Sequence, residues 1–256
     1  MTTSQLNKQS GSQGQLTDKP LVSIFTCVYK TRPEFLCRTV ESILGQDYSN
    51  WEYFIIDTCP QDIRKHIIES YLSDTRIRYE VAPRKMMFYQ GANLIIPKLK
   101  GKYVGCLDHD DIRYKDNLST IVAYMEEHPD YGFVGGNIDT ECSQDIEDKL
   151  RSIIYYPEED WQIKQYMKYQ RTPMLHSVVL MRRNLLELLA PNYYLRAYNL
   201  CPENQLYMRL AKQTKFHNIQ KVLGLYRYYS GNSSTNQAQE QWRQYYALWN
   251  KFKDLL

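Results

Sequence analysis

Residues 108–111 read Asp-His-Asp-Asp, three carboxylates within four positions. Such a cluster repels itself when desolvated unless a cation joins it. Carboxylate oxygens are hard ligands that suit Mg²⁺ or Mn²⁺. An ion held there would neutralise a diphosphate, as in sites that handle phosphoryl groups. The plainer reading is a solvated acidic turn capping the next helix, because Asp is favoured at helix starts. The preceding run Tyr103-Val104-Gly105-Cys106-Leu107 favours a site. It is a buried-strand pattern, and it delivers Asp108, Asp110 and Asp111 to a strand's carboxyl end. Asp57 stands in the same relation to Tyr53-Phe54-Ile55-Ile56. Other chemistries lack their motifs. There is no GxGxxG after the first strand, no GxxxxGK[ST], no GxSxG, no HExxH and no CxxC.

The elements that must position these acids alternate. Residues 22–28 are β-branched and apolar, the pattern of a buried strand. Pro33 opens a helical pattern with Phe35, Leu36, Val40, Ile43 and Leu44 on one face, closed by Gly45. Residues 53–56, 77–81, 103–107 and 131–134 read as further strands. Residues 62–72, 89–99 and a segment around Leu118, Ile121, Val122 and Met125 read as helices. Strand–helix alternation predicts an α/β fold with a mostly parallel sheet. Ligands of such sheets bind beyond the carboxyl ends of the strands, where these acids fall. The second half is less regular. Residues 139–164 read as a variable segment, 176–181 and 222–229 as strands, and 182–189 and 203–211 as helices. Residues 237–256 read as a terminal helix with Trp242, Tyr245, Tyr246, Trp249 and Phe252 on a core-packing face.

Composition bounds the class. The chain has 256 residues, 43% apolar and 24% charged, with a net charge of +3. That is ordinary globular composition, with no basic stripe for nucleic acid. No apolar run approaches the roughly 18 residues of a membrane span. Residues 1–19 are polar and of low complexity, and read as a flexible tail. Six cysteines without a CxxC pair predict reduced thiols and a cytoplasmic protein. The 23 tyrosines offer flat apolar area with a polar tip.

Taken in order, several segments resemble the family-two glycosyltransferases. Pro20-Leu-Val-Ser-Ile-Phe-Thr-Cys-Val-Tyr29 is similar to that family's first strand, PxVSIIIPTYN. Thr39-Val-Glu-Ser-Ile-Leu-Gly-Gln46 and Trp51-Glu-Tyr-Phe-Ile-Ile-Asp57 resemble its first helix and second strand. Asn93 and Lys100-Gly-Lys-Tyr-Val resemble the approach to its DxD-type metal motif, which Leu107-Asp-His-Asp-Asp111 resembles. Pro202-Glu203-Asn-Gln-Leu-Tyr-Met-Arg209-Leu resembles its EDxDLxxRL motif, and Leu225-Tyr-Arg-Tyr-Tyr-Ser-Gly-Asn its closing YRxHxxxxS segment.

The resemblance implies a GT-A fold with a nucleotide-sugar-binding half, residues 20–135, and an acceptor-binding half, residues 136–236. The tail 1–19 precedes it and an amphipathic helix, 237–256, follows. It implies inverting transfer of a sugar from a nucleotide-diphosphate donor to a glycan or lipid-linked hydroxyl acceptor, with Mn²⁺ or Mg²⁺. By the same resemblance Cys27, Tyr29, Asp57, Asn93, Asp108 and Asp110 would bind the donor. Asp111, assisted by Asp110, would hold the metal, and Glu203 would be the general base. His176 and Trp161 would stand on the acceptor side. A location at the inner face of a membrane is compatible with these acceptors. Three positions depart from the pattern: Thr58 replaces a second acid, Ala92 an arginine, and Tyr229 the late histidine. Thr58 leaves the identity of the base open. With Tyr229 it also keeps a rival reading alive, a non-catalytic nucleotide- or glycan-binding module.

Overall fold

Alternating faces of one sheet explain most of the architecture. In the computed structural model, which describes residues 19–62, 64–143, 151–169, 172–231 and 236–256, strand β1 (Val22–Val28) is buried throughout. Successive side chains of a strand point to opposite faces. Phe25 and Cys27 accordingly enter one apolar cluster, and Val22, Ile24 and Val28 the other. β2 (Trp51–Asp57), β3 (Ile77–Val81) and β4 (Tyr103–Cys106) lie parallel with β1 in the order β3-β2-β1-β4. Helices α1 (Pro33–Leu44), α2 (Lys65–Ile68) and α4 (Asn117–Glu127) cover one face through Leu36, Val40, Ile68, Ile121 and Met125. α3 (Phe88–Ile95) covers the other through Ala92 and Ile95.

The sheet continues through β8 (Leu180–Arg182), β6 (Tyr131–Cys142), β9 (Lys215–Tyr228) and β5 (Ile112–Arg113). β8 runs antiparallel to β4 and β6, whereas β6 and β9 are parallel. β7 (Ile153–Ile154) pairs with β6 from the side. On the α3 face lie α5 (Asp160–Lys168), α6 (Arg183–Glu187), α7 (Pro202–Leu210) and α8 (Ala238–Phe252). Mostly parallel, with helices on both faces, this is the expected α/β architecture.

Three expectations change. Residues 139–164 include the end of β6, β7 and the start of α5; residues 144–150 and most of the tail 1–19 lie outside the described residues. A two-residue strand and a helix with only Ile163 and Met167 buried leave little periodicity to read. The strand foreseen at 176–181 is a 3₁₀ turn, His176–Val178, followed by β8. On α8, Tyr245 and Leu248 are buried in the apolar cluster of the α3 face and Trp249 and Phe252 pack against that cluster, but Trp242 and Tyr246 are more than half exposed. The buried stripe is therefore narrower than the aromatic one.

Candidate active site

The acid turn is held by hydrogen-bonding partners that arrive from distant parts of the chain. β5 follows Asp111 directly and pairs antiparallel with β9, Ile112 opposite Leu225. Continuing that register sets Arg227 against the turn. Its backbone N–H donates to Asp111 Oδ1 at 3.1 Å, and its guanidinium donates to the Asp110 carbonyl. The same guanidinium, 1% exposed, pairs with Glu141 at 3.1 Å and lies over the Phe35 ring. Tyr229, two residues on, donates its hydroxyl to Asp110 Oδ2 at 2.8 Å. From α1, the Thr39 hydroxyl donates to the Asp111 carbonyl at 2.8 Å.

Ser177 closes the turn from the other side. Its hydroxyl donates to Asp111 Oδ2 at 2.6 Å and accepts the Asp108 N–H at 3.2 Å. Arg113 holds the two segments together beneath it. Its Nη2 donates to the carbonyls of Cys106 and Val179, each at 3.0 Å, and Nη1 to Asn117 Oδ1 at 2.6 Å. Burial lowers the Arg113 pKa to about 10, so it remains a cation at neutral pH.

The electrostatics match a crowded acidic site. Burial, then Asp110, push the Asp108 carboxyl up to about 7, and Glu203 contributes in the same direction. Burial, then Asp110 and Asp108, raise Asp111 well above the ordinary carboxylate range. Glu203, at the first turn of α7, is raised to about 7 by burial. It therefore lies within electrostatic reach of Asp108, although the two are far apart in sequence.

Several residues expected at the donor site turn inward. Asp111 is 1% exposed, with both carboxylate oxygens engaged by protein donors. Asp57 is fully buried and organises its own loop, accepting from the Cys59 and Arg64 backbones and the Tyr79 hydroxyl. Cys27 packs beneath α3 in the core, where burial raises its thiol. Asn93 exchanges two hydrogen bonds with the Tyr194 backbone, at 2.9 and 2.8 Å, so its amide ties α3 to that segment. Cys27 and Asn93 thus both have partners within the protein. Tyr29 does lie at the surface just beyond β1, 38% exposed, with the Lys85 ammonium 5.3 Å from its ring centre.

On the acceptor side, His176 is a core histidine. It is 2% exposed, bonded through Nε2 to the Tyr194 hydroxyl at 2.8 Å, and lowered by burial to about 3. It stays neutral at physiological pH. Trp161 is exposed on α5 and lines a shallow groove of about 530 Å³ with Lys164, Lys168, Tyr169 and Leu256. It shares none of the hydrogen bonds that hold the acid turn. Ser177 and Arg113 had no motif to betray them, and Thr39 stood in the first-helix segment with no sign that it reaches Asp111. Arg227 stood inside the closing segment, but its role follows only from the β5–β9 register.

Comparison with known proteins places this geometry. A putative teichuronic acid biosynthesis glycosyltransferase, TuaG of Bacillus subtilis, is 34% identical over 110 residues, 43% of each chain. A putative colanic acid biosynthesis glycosyl transferase, WcaA of Escherichia coli, is 26% identical over 156 residues, 60% of this chain and 54% of the relative. The matched stretch thus spans about half the length of these two relatives. The structure of S. aureus TarS 1–349 in complex with UDP-GlcNAc superposes with a TM-score of 0.67 at 15% identity, covering 84% of this chain and 60% of that one. The mannosyltransferase PcManGT from Pyrobaculum calidifontis, in complex with GDP-Man and Mn²⁺, gives 0.66 at 14% identity, covering 92% and 65%. These likenesses show the expected GT-A fold. Residues 23–189, which carry the acid turn and its parallel strands, match Glycosyl transferase family 2, and the chain belongs to that family.

Proposed function

We propose that the chain is an inverting glycosyltransferase that moves a sugar from a nucleotide-diphosphate donor to a hydroxyl of a glycan or lipid-linked acceptor, in polysaccharide or related glycan synthesis. The observation that carries the proposal is Glu203, a carboxylate raised to about 7 by burial and within electrostatic reach of Asp108. A general base works best when its pKa lies near the operating pH. Single displacement at the anomeric carbon needs the base on the face opposite the leaving diphosphate. Glu203 takes the acceptor proton, and the acceptor oxygen forms the new bond as the bond to the diphosphate breaks. Family membership and two relatives named for teichuronic and colanic acid biosynthesis support the substrate class.

The donor set fits a divalent cation. Asp108 and Asp110 are hard oxygen donors, and burial, then the Asp110 charge, raise the Asp108 carboxyl, so a cation beside it would relieve both. No ready-made cluster of metal-binding side chains stands among the described residues. We assign Asp108 and Asp110 to the ion, with Asp111 behind them as an anchor rather than the principal ligand. Bound there, Mn²⁺ or Mg²⁺ would act as a Lewis acid on the departing diphosphate. Tyr29 and Lys85 would face the nucleotide. No helix among the described residues is long and apolar enough to cross a membrane.

The test is turnover of Glu203→Gln with UDP-GlcNAc and GDP-Man as donors, in the presence of Mn²⁺. Turnover should fall by about 10²-fold or more, while donor affinity stays near wild type. Retained transfer would remove Glu203 as the base. A wild type that binds nucleotide-sugars but transfers from none of them would favour the binding module.

A further inference from the structure

Asn204 follows Glu203 and is enclosed, 1% exposed. Its side-chain nitrogen is committed twice. Nδ2 donates to Glu203 Oε1 at 3.2 Å and to Thr172 Oγ1 at 3.1 Å. Its amide oxygen is buried and has no donor. Native chains keep few such orphaned acceptors, and each calls for a physical reason. Turning the amide over would offer the oxygen to the Thr172 hydroxyl. It would also set that oxygen against the ionised Glu203 carboxylate with no proton between them. The orientation that leaves Oδ1 unpaired is therefore the one that serves Glu203 as an anion.

The structure assigns Asn204 as a positioning residue for Glu203, with Thr172 anchoring the amide from behind. This rests on the reading of Glu203 as the base. Glu203 has a long, torsionally free side chain, and holding one carboxylate oxygen gives it a single orientation toward the acceptor hydroxyl. Its charge acts on Asp108, the thiols of Cys106 and Cys201, and the phenols of Tyr156, Tyr194, Tyr207 and Tyr245, and none of these is a cation. Apart from the residue's own backbone N–H, Asn204 is the donor to this carboxylate among the described residues.

The experiment is a carbon-13 carboxyl NMR titration of Glu203 in the full chain without substrate, beside steady-state kinetics. Asn204→Leu keeps the branched shape, adds no charge and removes the donor; Thr172→Val keeps the shape and removes only the anchor. The Glu203 midpoint should rise by about one unit or more in Asn204→Leu and by less in Thr172→Val. kcat should fall about tenfold or more in Asn204→Leu, with the donor KM within about twofold. In a Glu203→Gln background, the change at Asn204 should add less than about twofold. An unmoved Glu203 midpoint in both variants, or losses that multiply in the Glu203→Gln background, would overturn the assignment. If Asn204→Leu fails to fold, Thr172→Val alone decides by the same midpoint. The titration needs no turnover, so a wild type that transfers no sugar would defeat the transferase reading while leaving the role of Asn204 to be decided by NMR.

Discussion

Asp110 and Asp111 are buried neighbours held by different partners, and substitution should separate them. Asp111 takes one hydrogen bond on each oxygen, from Ser177 and the Arg227 backbone. Asn at that position would turn an NH₂ group toward one of those donors. Asp111→Asn should therefore cost about 1–3 kcal/mol of stability in urea denaturation. Asp110→Asn should abolish Mn²⁺-dependent binding of a nucleoside diphosphate in calorimetry while the fold survives. If instead Asp111→Asn loses the metal response and Asp110→Asn keeps it, the inner and outer roles are reversed. Ser177→Ala removes a donor from Asp111 and an acceptor from the Asp108 N–H together. About 1–3 kcal/mol of destabilisation with weaker nucleotide binding is expected; unchanged nucleotide affinity would mean that Ser177 does not shape the turn. At this scale the sequence showed that an acidic site existed, because Asp108-His-Asp-Asp111 follows an apolar run. It could not show which carboxylates face outward. That depends on Ser177, Arg227 and Tyr229, brought in by pairings that no local pattern encodes.

At the scale of elements, legibility follows burial. β1, β2 and β4 are buried throughout, so largely apolar runs identify them, broken in β1 by Ser23 and Thr26 and in β2 by Glu52 and Asp57. α1 shows Leu36, Val40 and Ile43 at helical spacing. β5 has two residues and β8 three, too few for any periodicity, yet β5 aligns Arg227 and the segment before β8 carries Ser177. At the opposite end of the sheet from the acid turn, one tie joins the starts of three strands. The Ser23 hydroxyl donates to Glu52 at 2.6 Å and accepts the Gly101 N–H at 2.7 Å, and Glu52 also accepts the Lys100 N–H at 2.7 Å. Gly101 is required there by close approach. A Cβ would stand 2.5 Å from the Ser23 nitrogen and 2.7 Å from its hydroxyl. Backbone cannot yield cheaply, so Gly101→Ala should destabilise by about 2–4 kcal/mol through overpacking and a broken buried tie. Its nucleotide affinity, measured where the variant is fully folded, should match wild type. A loss of affinity there would show that the two ends of the sheet are coupled.

At the scale of the whole molecule, the acidic site works against the fold. The folded chain holds the Glu203 carboxyl at about 7, against 4.5 for the unperturbed group. The folded state thus binds that proton more tightly than the unfolded chain does. The resulting stabilisation is present in full below about pH 4.5 and is lost as pH rises through about 7. Two to three pKa units correspond to about 3 kcal/mol, an upper figure for a group that retains some exposure. Asp108, also raised to about 7, acts in the same direction. Together these two carboxyls lower wild-type stability between about pH 4.5 and pH 8 in the absence of divalent cations, while the neutral core His176, lowered to about 3, opposes them below about pH 6.5. Glu203→Gln stays neutral across that range, and its amide oxygen can still accept from Asn204. Its unfolding free energy should match wild type near pH 4.5 and exceed it by up to about 3 kcal/mol at pH 8, read from paired urea titrations. The Asp108 and Asp111 contributions are common to both proteins and largely cancel in that difference. A gap that stays constant with pH would mean that Glu203 is not desolvated as an anion. A variant less stable than wild type at pH 8 would mean that the ionised carboxylate supports the start of α7 rather than opposing the fold. The expected outcome is a base kept near neutrality by burial, and a fold that is weakened at the pH where that base is useful.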